Sequence, residues 1–244
     1  MSSSKLKKLI QNGYFKFDLD KKEFVSLKKI LSKYIRKKTG FKKINLEKFH
    51  NQLNISDLNE IRLELFKRLN KNKMFKKNVF ESSKEHIEMC VGSEICTSDS
   101  NLSIQFPNDE TSLLSMHTDF FSGESLFQIN LWIPFVDVKK TQSMFIINPS
   151  NSLKILKRIK NDKNLNFETI DKKYKSKMKW INLKAGEAIL FSPNCLHGNV
   201  VNKEKNTRWS LNVRYKNIFS PYSKIKNEKK NRKFLQTYFI KRYN

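Results

Sequence analysis

Residues 208–214 read Arg208-Trp209-Ser210-Leu211-Asn212-Val213-Arg214. In a strand, successive side chains point to opposite faces. This run therefore places Arg208, Ser210, Asn212 and Arg214 on one side, and Trp209, Leu211 and Val213 on the other. The apolar side predicts a surface packed on a core. The polar side needs partners, because a buried polar group without a hydrogen bond is costly. The run predicts a sheet strand with one face against the core and a cationic face turned toward something else.

Short β-rich runs upstream repeat the pattern, near 102–106, 126–135, 143–147, 178–183 and 188–191. Pro107, Gly123, Pro134, Pro149, Gly186, Pro193 and Gly198 punctuate them. Strands without βαβ alternation predict an antiparallel sandwich or jelly roll. Residues 150–160 read as a helical insertion and 161–176 as a polar loop.

The first 92 residues read helical. Phe24, Leu27, Ile30, Leu31, Tyr34 and Ile35 recur at helical spacing, as do Leu58, Ile61, Leu65 and Leu69. Asp57 followed by Glu60 resembles a capping box. A third helix is expected over 81–91. Beyond 217 the chain is basic, and 229–242 reads as a helix with Phe234, Leu235, Tyr238 and Phe239 on its apolar side. The expectation is one domain over 1–244, with a helical part (1–92), a β core (93–217) and a basic tail (218–244).

With 38% hydrophobic residues and 19 Phe, the 244-residue chain can build a packed core, which excludes a wholly disordered protein. No apolar stretch is long enough for a membrane span. The N-terminus lacks the apolar segment of a secretory signal, and three Cys do not make a disulfide scaffold, so a reducing, cytoplasmic setting is expected. The net charge of +26 comes from 41 Lys but only 8 Arg. Nucleic-acid readers favour Arg for bidentate contacts, so a nucleic-acid partner is not expected. Charge of this kind fits a Lys-rich surface that steers an anionic substrate. From Glu85 to Asp137 there is no Lys or Arg at all, while nine acids lie there.

The chain has four His. His117 lies in Ser115-Met116-His117-Thr118-Asp119, and in a strand His117 and Asp119 share a face. His197, from a separate stretch, can add a second imidazole. Two His and one carboxylate form the facial set that holds Fe(II) and leaves positions open for co-substrate and oxygen. Arg208 follows His197 by eleven residues, with Ser210 two further on. A guanidinium beside a hydroxyl is suited to gripping a carboxylate. Activating oxygen at iron requires electrons, which a bound 2-oxo acid would supply.

The ordered pattern resembles the phytanoyl-CoA dioxygenase-like branch of the Fe(II)/2-oxoglutarate-dependent oxygenases, and more narrowly the members found in bacterial carbohydrate-biosynthesis clusters. The pieces that carry the resemblance are His117-x-Asp119, Gln128-Ile-Asn130-Leu-Trp132-Ile-Pro134, Thr141 through Ser150, Lys184-Ala-Gly186-Glu187 through Phe191, His197-Gly198 and Arg208. They span about residues 100–216. The resemblance implies a double-stranded β-helix, the cupin-like jelly roll. It implies Fe(II) on His117, Asp119 and His197. It also implies 2-oxoglutarate held by Arg208 with Ser210, and further contacts to that co-substrate from Gln105 and Asn130. The reaction implied is hydroxylation of a small polar or sugar-like substrate, with molecular oxygen consumed and succinate and carbon dioxide released. A carboxylate at Asp119 argues against halogenation, for which that position is small in relatives. One departure is Asn148-Pro149-Ser150-Asn151 where many members carry Pro-Gly-Ser-His, so substrate contacts there do not carry over.

Two other readings compete. One is a Lys-rich, non-catalytic module on a jelly-roll fold, binding RNA or an anionic glycan through the chain ends. The other is a jelly roll whose His and Asp bind zinc or nothing. Arg214, on the same face as Arg208, is the alternative anchor for 2-oxoglutarate. Phe120 and Phe121 are placed to stack on a substrate ring. A Cys195/His197 nucleophile pair lacks any accompanying oxyanion loop.

Overall fold

The computed structural model describes residues 2–162, 173–221 and 238–239. It combines helices with two antiparallel sheets. The larger sheet has the order β1-β7-β4-β9-β2-β10, from Tyr14–Asp18, Glu187–Phe191, Gln128–Pro134, Arg208–Asn217, Ile95–Thr97 and Tyr238–Phe239; β3, Asn101–Gln105, also pairs with β9. The smaller sheet has the order β6-β5-β8, from Lys179–Trp180, Phe145–Ile146 and His197–Gly198.

The helices are α1 (Ser2–Asn12), α2 (Lys21–Thr39), α3 (Ile55–Lys71), α4 (Lys73–Glu81), α5 (Lys84–Val91) and α6 (Pro149–Asn161). In α2, the Asp20 side chain accepts from Glu23 N at 2.9 Å, and Gly40 closes the helix at φ 75. The helix buries Phe24, Leu27, Leu31 and Ile35. In α3 the buried residues are Leu58, Ile61, Leu65 and Leu69, the face that periodicity predicts. The capping box does not form. The N-cap is Asn54, with no side-chain cap bond, and Glu60 pairs instead with Lys38 of α2 at 2.5 Å.

These apolar faces meet the outer face of the larger sheet in one cluster running from Tyr14 to Tyr215. Trp209 is fully buried, stands edge-on to Phe49 with ring centroids 5.1 Å apart, and donates its indole N–H to Leu46 O. That core fixes which face of β9 turns inward, and so directs Arg208, Ser210, Asn212 and Arg214 to the other side. A second cluster, Met116, Phe145, Ile147, Ile155 and Leu196, seats α6 against the smaller sheet.

The N-terminal part is not purely helical. Tyr14–Asp18 is a strand paired antiparallel with β7, from Tyr14↔Phe191 to Asp18↔Glu187. Its short alternation in Tyr14-Phe15-Lys16-Phe17 lies between two helices, and its partners in the other strand are 169 to 177 positions away in sequence. Gly13 enables the entry. Its φ is +83, and a Cβ there would lie 2.3 Å from Cys195 Sγ. The helix expected over 81–91 is broken into the end of α4 and all of α5, with Ser82 and Ser83 between. The helix expected over 229–242 lies mostly outside the described residues. Tyr238 and Phe239, which are described, pair as strand with Thr97 and Cys96, so no helix runs through them.

Candidate metal centre

The two sheets meet where the segment Ser115–Asp119 crosses the end of β8. His117 N donates to His197 O at 3.0 Å and His197 N to His117 O at 2.9 Å, so the residues form a reciprocal bridge. Asp119 N donates to Pro193 O, tying the far end of the segment to the same turn. The imidazole centroids lie 4.3 Å apart. One nitrogen of each imidazole and one carboxylate oxygen of Asp119 all lie within 4.8 Å of one another. Asp119 and His197 are buried; His117 is partly open at the mouth.

Backbone carbonyls set the orientation of both rings. His117 Nδ1 lies 2.8 Å from Ser115 O and His197 Nδ1 lies 2.9 Å from Cys195 O. A carbonyl oxygen only accepts, so Nδ1 of each ring carries the proton and Nε2 keeps its lone pair. This is the usual outer-shell arrangement of metal-bound histidine. Burial, then the neighbouring His117, pushes His197 down to about 4, so it stays neutral at neutral pH. Burial alone would raise the Asp119 carboxyl, but the Arg214 guanidinium, His197 and His117 hold it well below the usual carboxylate range. The result is a neutral His197 imidazole, an ionised Asp119 carboxylate and the Nε2 edge of His117 converging on one point. That donor set fits a divalent transition-metal ion with open positions.

Asp119 is gripped on both oxygens. Arg214 donates to Oδ1 at 2.9 Å, and the Asn130 amide donates to Oδ2. Gln128 Nε2 donates to Asn130 Oδ1 at 3.1 Å. Asn130 thus hydrogen-bonds the Asp119 carboxylate and Gln128, where the resemblance implies a contact with 2-oxoglutarate. Arg214 also lies 3.9 Å from Glu124, whose carboxyl burial pushes up. Sequence reading missed these links because they depend on the register between β4 and β9, where Asn130 sits opposite Arg214.

Arg208 lies further along the same face. It is 3% exposed, opposite Gln105 on β3, and donates to Ser103 Oγ at 3.0 Å. Among the described residues no carboxylate forms an ion pair with it. Its Nε has no partner, nor has Oε1 of Gln105. Burial pulls Arg208 down to about 10, opposed by the charge of Asp109. Ser210 is buried on the same face, opposite Ser103. A buried guanidinium without an acid is a standing energetic cost, and an anionic ligand would remove it. The donor set and the orphaned guanidinium together fit a metal and a carboxylate-bearing co-substrate.

Solved structures of this fold occur among non-heme oxygenases. EvdMO1 superposes with a TM-score of 0.61 at 14% identity, over 89% of this chain and 50% of its own. The chain thus spans about half the length of EvdMO1. The non-heme alpha ketoglutarate dependent carbocyclase SnoK from nogalamycin biosynthesis gives 0.60 at 12% identity, over 91% and 86%. HygX from Streptomyces hygroscopicus, solved with nickel and 2-oxoglutarate bound, gives 0.52 at 13%, over 90% and 88%. No protein-family model and no curated protein matches the sequence.

A cavity of about 750 Å³ lies along the 118–129 stretch, and none of His117, Asp119 and His197 lines it. It is lined mainly by apolar residues, including Phe120, Leu126, Phe127, Leu153 and Leu156. Phe120 lines this cavity, and the side chain of Phe121 lies outside the described residues. Burial raises the Cys195 thiol to about 12, which disqualifies it as a nucleophile. No helix among the described residues is long and apolar enough to cross a membrane.

Proposed function

We propose that the protein is an Fe(II)- and 2-oxoglutarate-dependent oxygenase of the phytanoyl-CoA dioxygenase-like branch. In this reading 1–244 form a single domain with a double-stranded β-helix core, working in the cytoplasm. The observation that carries the reading is the pairing of the His117–Asp119–His197 donor set with a buried Arg208 that forms no ion pair among the described residues and leaves its Nε without a partner. A zinc site alone accounts for the donors, but not for that guanidinium. The chemistry the iron supplies when bound is oxygen activation coupled to decarboxylation of the 2-oxo acid, giving succinate and carbon dioxide.

The chain's own residues divide the remaining work. His117 and His197 offer Nε2 lone pairs from rings locked by Ser115 O and Cys195 O. Asp119 offers a carboxylate kept ionised by Arg214. Arg208, with Ser210 beside it and Gln105 opposite, holds the distal carboxylate of 2-oxoglutarate by charge-assisted hydrogen bonds. Arg214 is engaged with Asp119, which favours Arg208 as the anchor. The substrate is a small polar or sugar-like molecule approaching from the open side of His117.

The test is anaerobic loading with ferrous iron followed by oxygen and 2-oxoglutarate, with succinate measured. Turnover in the unaltered protein and none in Asp119→Ala is expected. Equal succinate formation in both would defeat the proposal.

A further inference from the structure

One row across the larger sheet touches both buried donors. On β4, Asn130 lies directly opposite Phe191 of β7 and Arg214 of β9. The Phe191 ring packs edge-on against His197, with centroids 4.9 Å apart. Arg214 reaches Oδ1 of Asp119, and Asn130 reaches Oδ2. Three neighbouring positions on three strands therefore fix a buried imidazole and both oxygens of a buried carboxylate.

The two oxygens are not equivalent. Oδ1 lies 3.8 Å from His117 Nε2, on the side of the imidazoles. Oδ2 accepts from the Asn130 amide, whose own carbonyl oxygen accepts from Gln128. A carboxylate oxygen accepts from a donor with one lone pair and can bind a metal with the other. With a donor fixed on each oxygen the carboxylate cannot rotate, and Oδ1 is the oxygen held toward His117. Asn130 is fully buried and neutral, so its effect is geometric rather than one of net charge.

We infer that Asn130, braced by Gln128, is a positioning residue that makes Asp119 a one-oxygen ligand and keeps its second oxygen off the metal. The inference rests on the metal reading above. It also separates Asn130 from the co-substrate, which sequence reasoning assigns to it.

Co²⁺ serves as the probe, because its visible spectrum reports the number and kind of ligands. The unaltered protein should bind it, and His117→Ala should not. Asn130→Leu, close in size but unable to donate, should weaken Co²⁺ binding about 10–100-fold, the usual effect of losing an outer-shell partner. The Co²⁺ spectrum should change as the freed oxygen joins the metal. Affinity for 2-oxoglutarate, read on Co²⁺-saturated protein, should move less than about threefold. Gln128→Met should act in the same direction by a smaller factor, and it carries the test if Asn130→Leu does not fold. Unchanged Co²⁺ affinity and spectrum in the variants would overturn the inference. So would a tenfold loss of 2-oxoglutarate affinity with intact metal binding, since that result assigns Asn130 to the co-substrate. Absence of Co²⁺ binding by the unaltered protein would instead overturn the metal reading itself.

Discussion

Arg214 and Asp119, 95 positions apart in sequence, form an ion pair at 2.9 Å beneath the two imidazoles. Asp119 is 1% exposed, so its negative charge depends on that guanidinium. Removing one member of a buried pair leaves the other unpaired, a loss of about 3–5 kcal/mol. Arg214→Gln should therefore lower the unfolding free energy of the metal-free protein by about that much. A divalent ion can replace the missing positive charge, so Co²⁺ should raise the melting temperature of the variant more than that of the parent. Calorimetry with and without Co²⁺ checks both.

Arg208 presents the opposite case. Its guanidinium is buried with no ion-pair partner among the described residues. Replacing such a charge by an apolar group of similar size is often neutral or stabilising. Arg208→Met should leave the melting temperature unchanged or raise it. The same change should weaken 2-oxoglutarate binding at least tenfold, given about 1.5–3 kcal/mol for a hydrogen bond to a charged group. Calorimetric titration with the co-substrate decides it; undiminished affinity would move the anchor elsewhere.

Gly198 follows His197, and the 112–117 segment lies close against it. A Cβ there would stand 2.7 Å from Leu114 O and 3.1 Å from the Phe145 ring. The backbone oxygen cannot swing aside as a side chain could. Gly198→Ala should push Leu114 and Ser115 outward, loosen the His117–His197 bridge and weaken Co²⁺ binding, with little effect on the helical part. Faster amide hydrogen exchange confined to His117 and His197 would confirm the route.

Stability of the metal-free protein should depend on the protonation of His197. Its folded value of about 4 lies below the ordinary histidine value of 6.5. Between these values the unfolded chain binds the extra proton and the folded chain does not. Stability is thus complete above about pH 6.5 and declines as pH falls toward 4, by on the order of 3 kcal/mol. His197→Gln should flatten that stretch of the pH profile, as measured by urea unfolding.

Much of this was legible because it is local. The helical faces of α2 and α3 follow from 3.6-residue spacing, and β9 from strict alternation. The strand expected to carry His117 and Asp119 is absent: His117 forms an isolated bridge, Thr118 is extended and Asp119 opens a short 3-10 helix, so the period of two holds for that single step only. The strand at Tyr14–Asp18 was not legible, because its partner β7 is distant in the chain. The capping box failed because Glu60 found Lys38 on another helix, a tertiary competitor to a local bond.

The sequence by itself determined which side chains share a strand face: Arg208 with Arg214 and Gln128 with Asn130. Side-chain direction within one strand is a property of the chain alone. Only the tertiary structure decided which of them touch. Register between strands placed Asn130 beside Arg214 and Phe191, and so assigned Arg214 to the carboxylate, while Arg208 forms no ion pair among the described residues. Register is fixed by burying the apolar faces of many distant segments at once, and no single stretch carries that information.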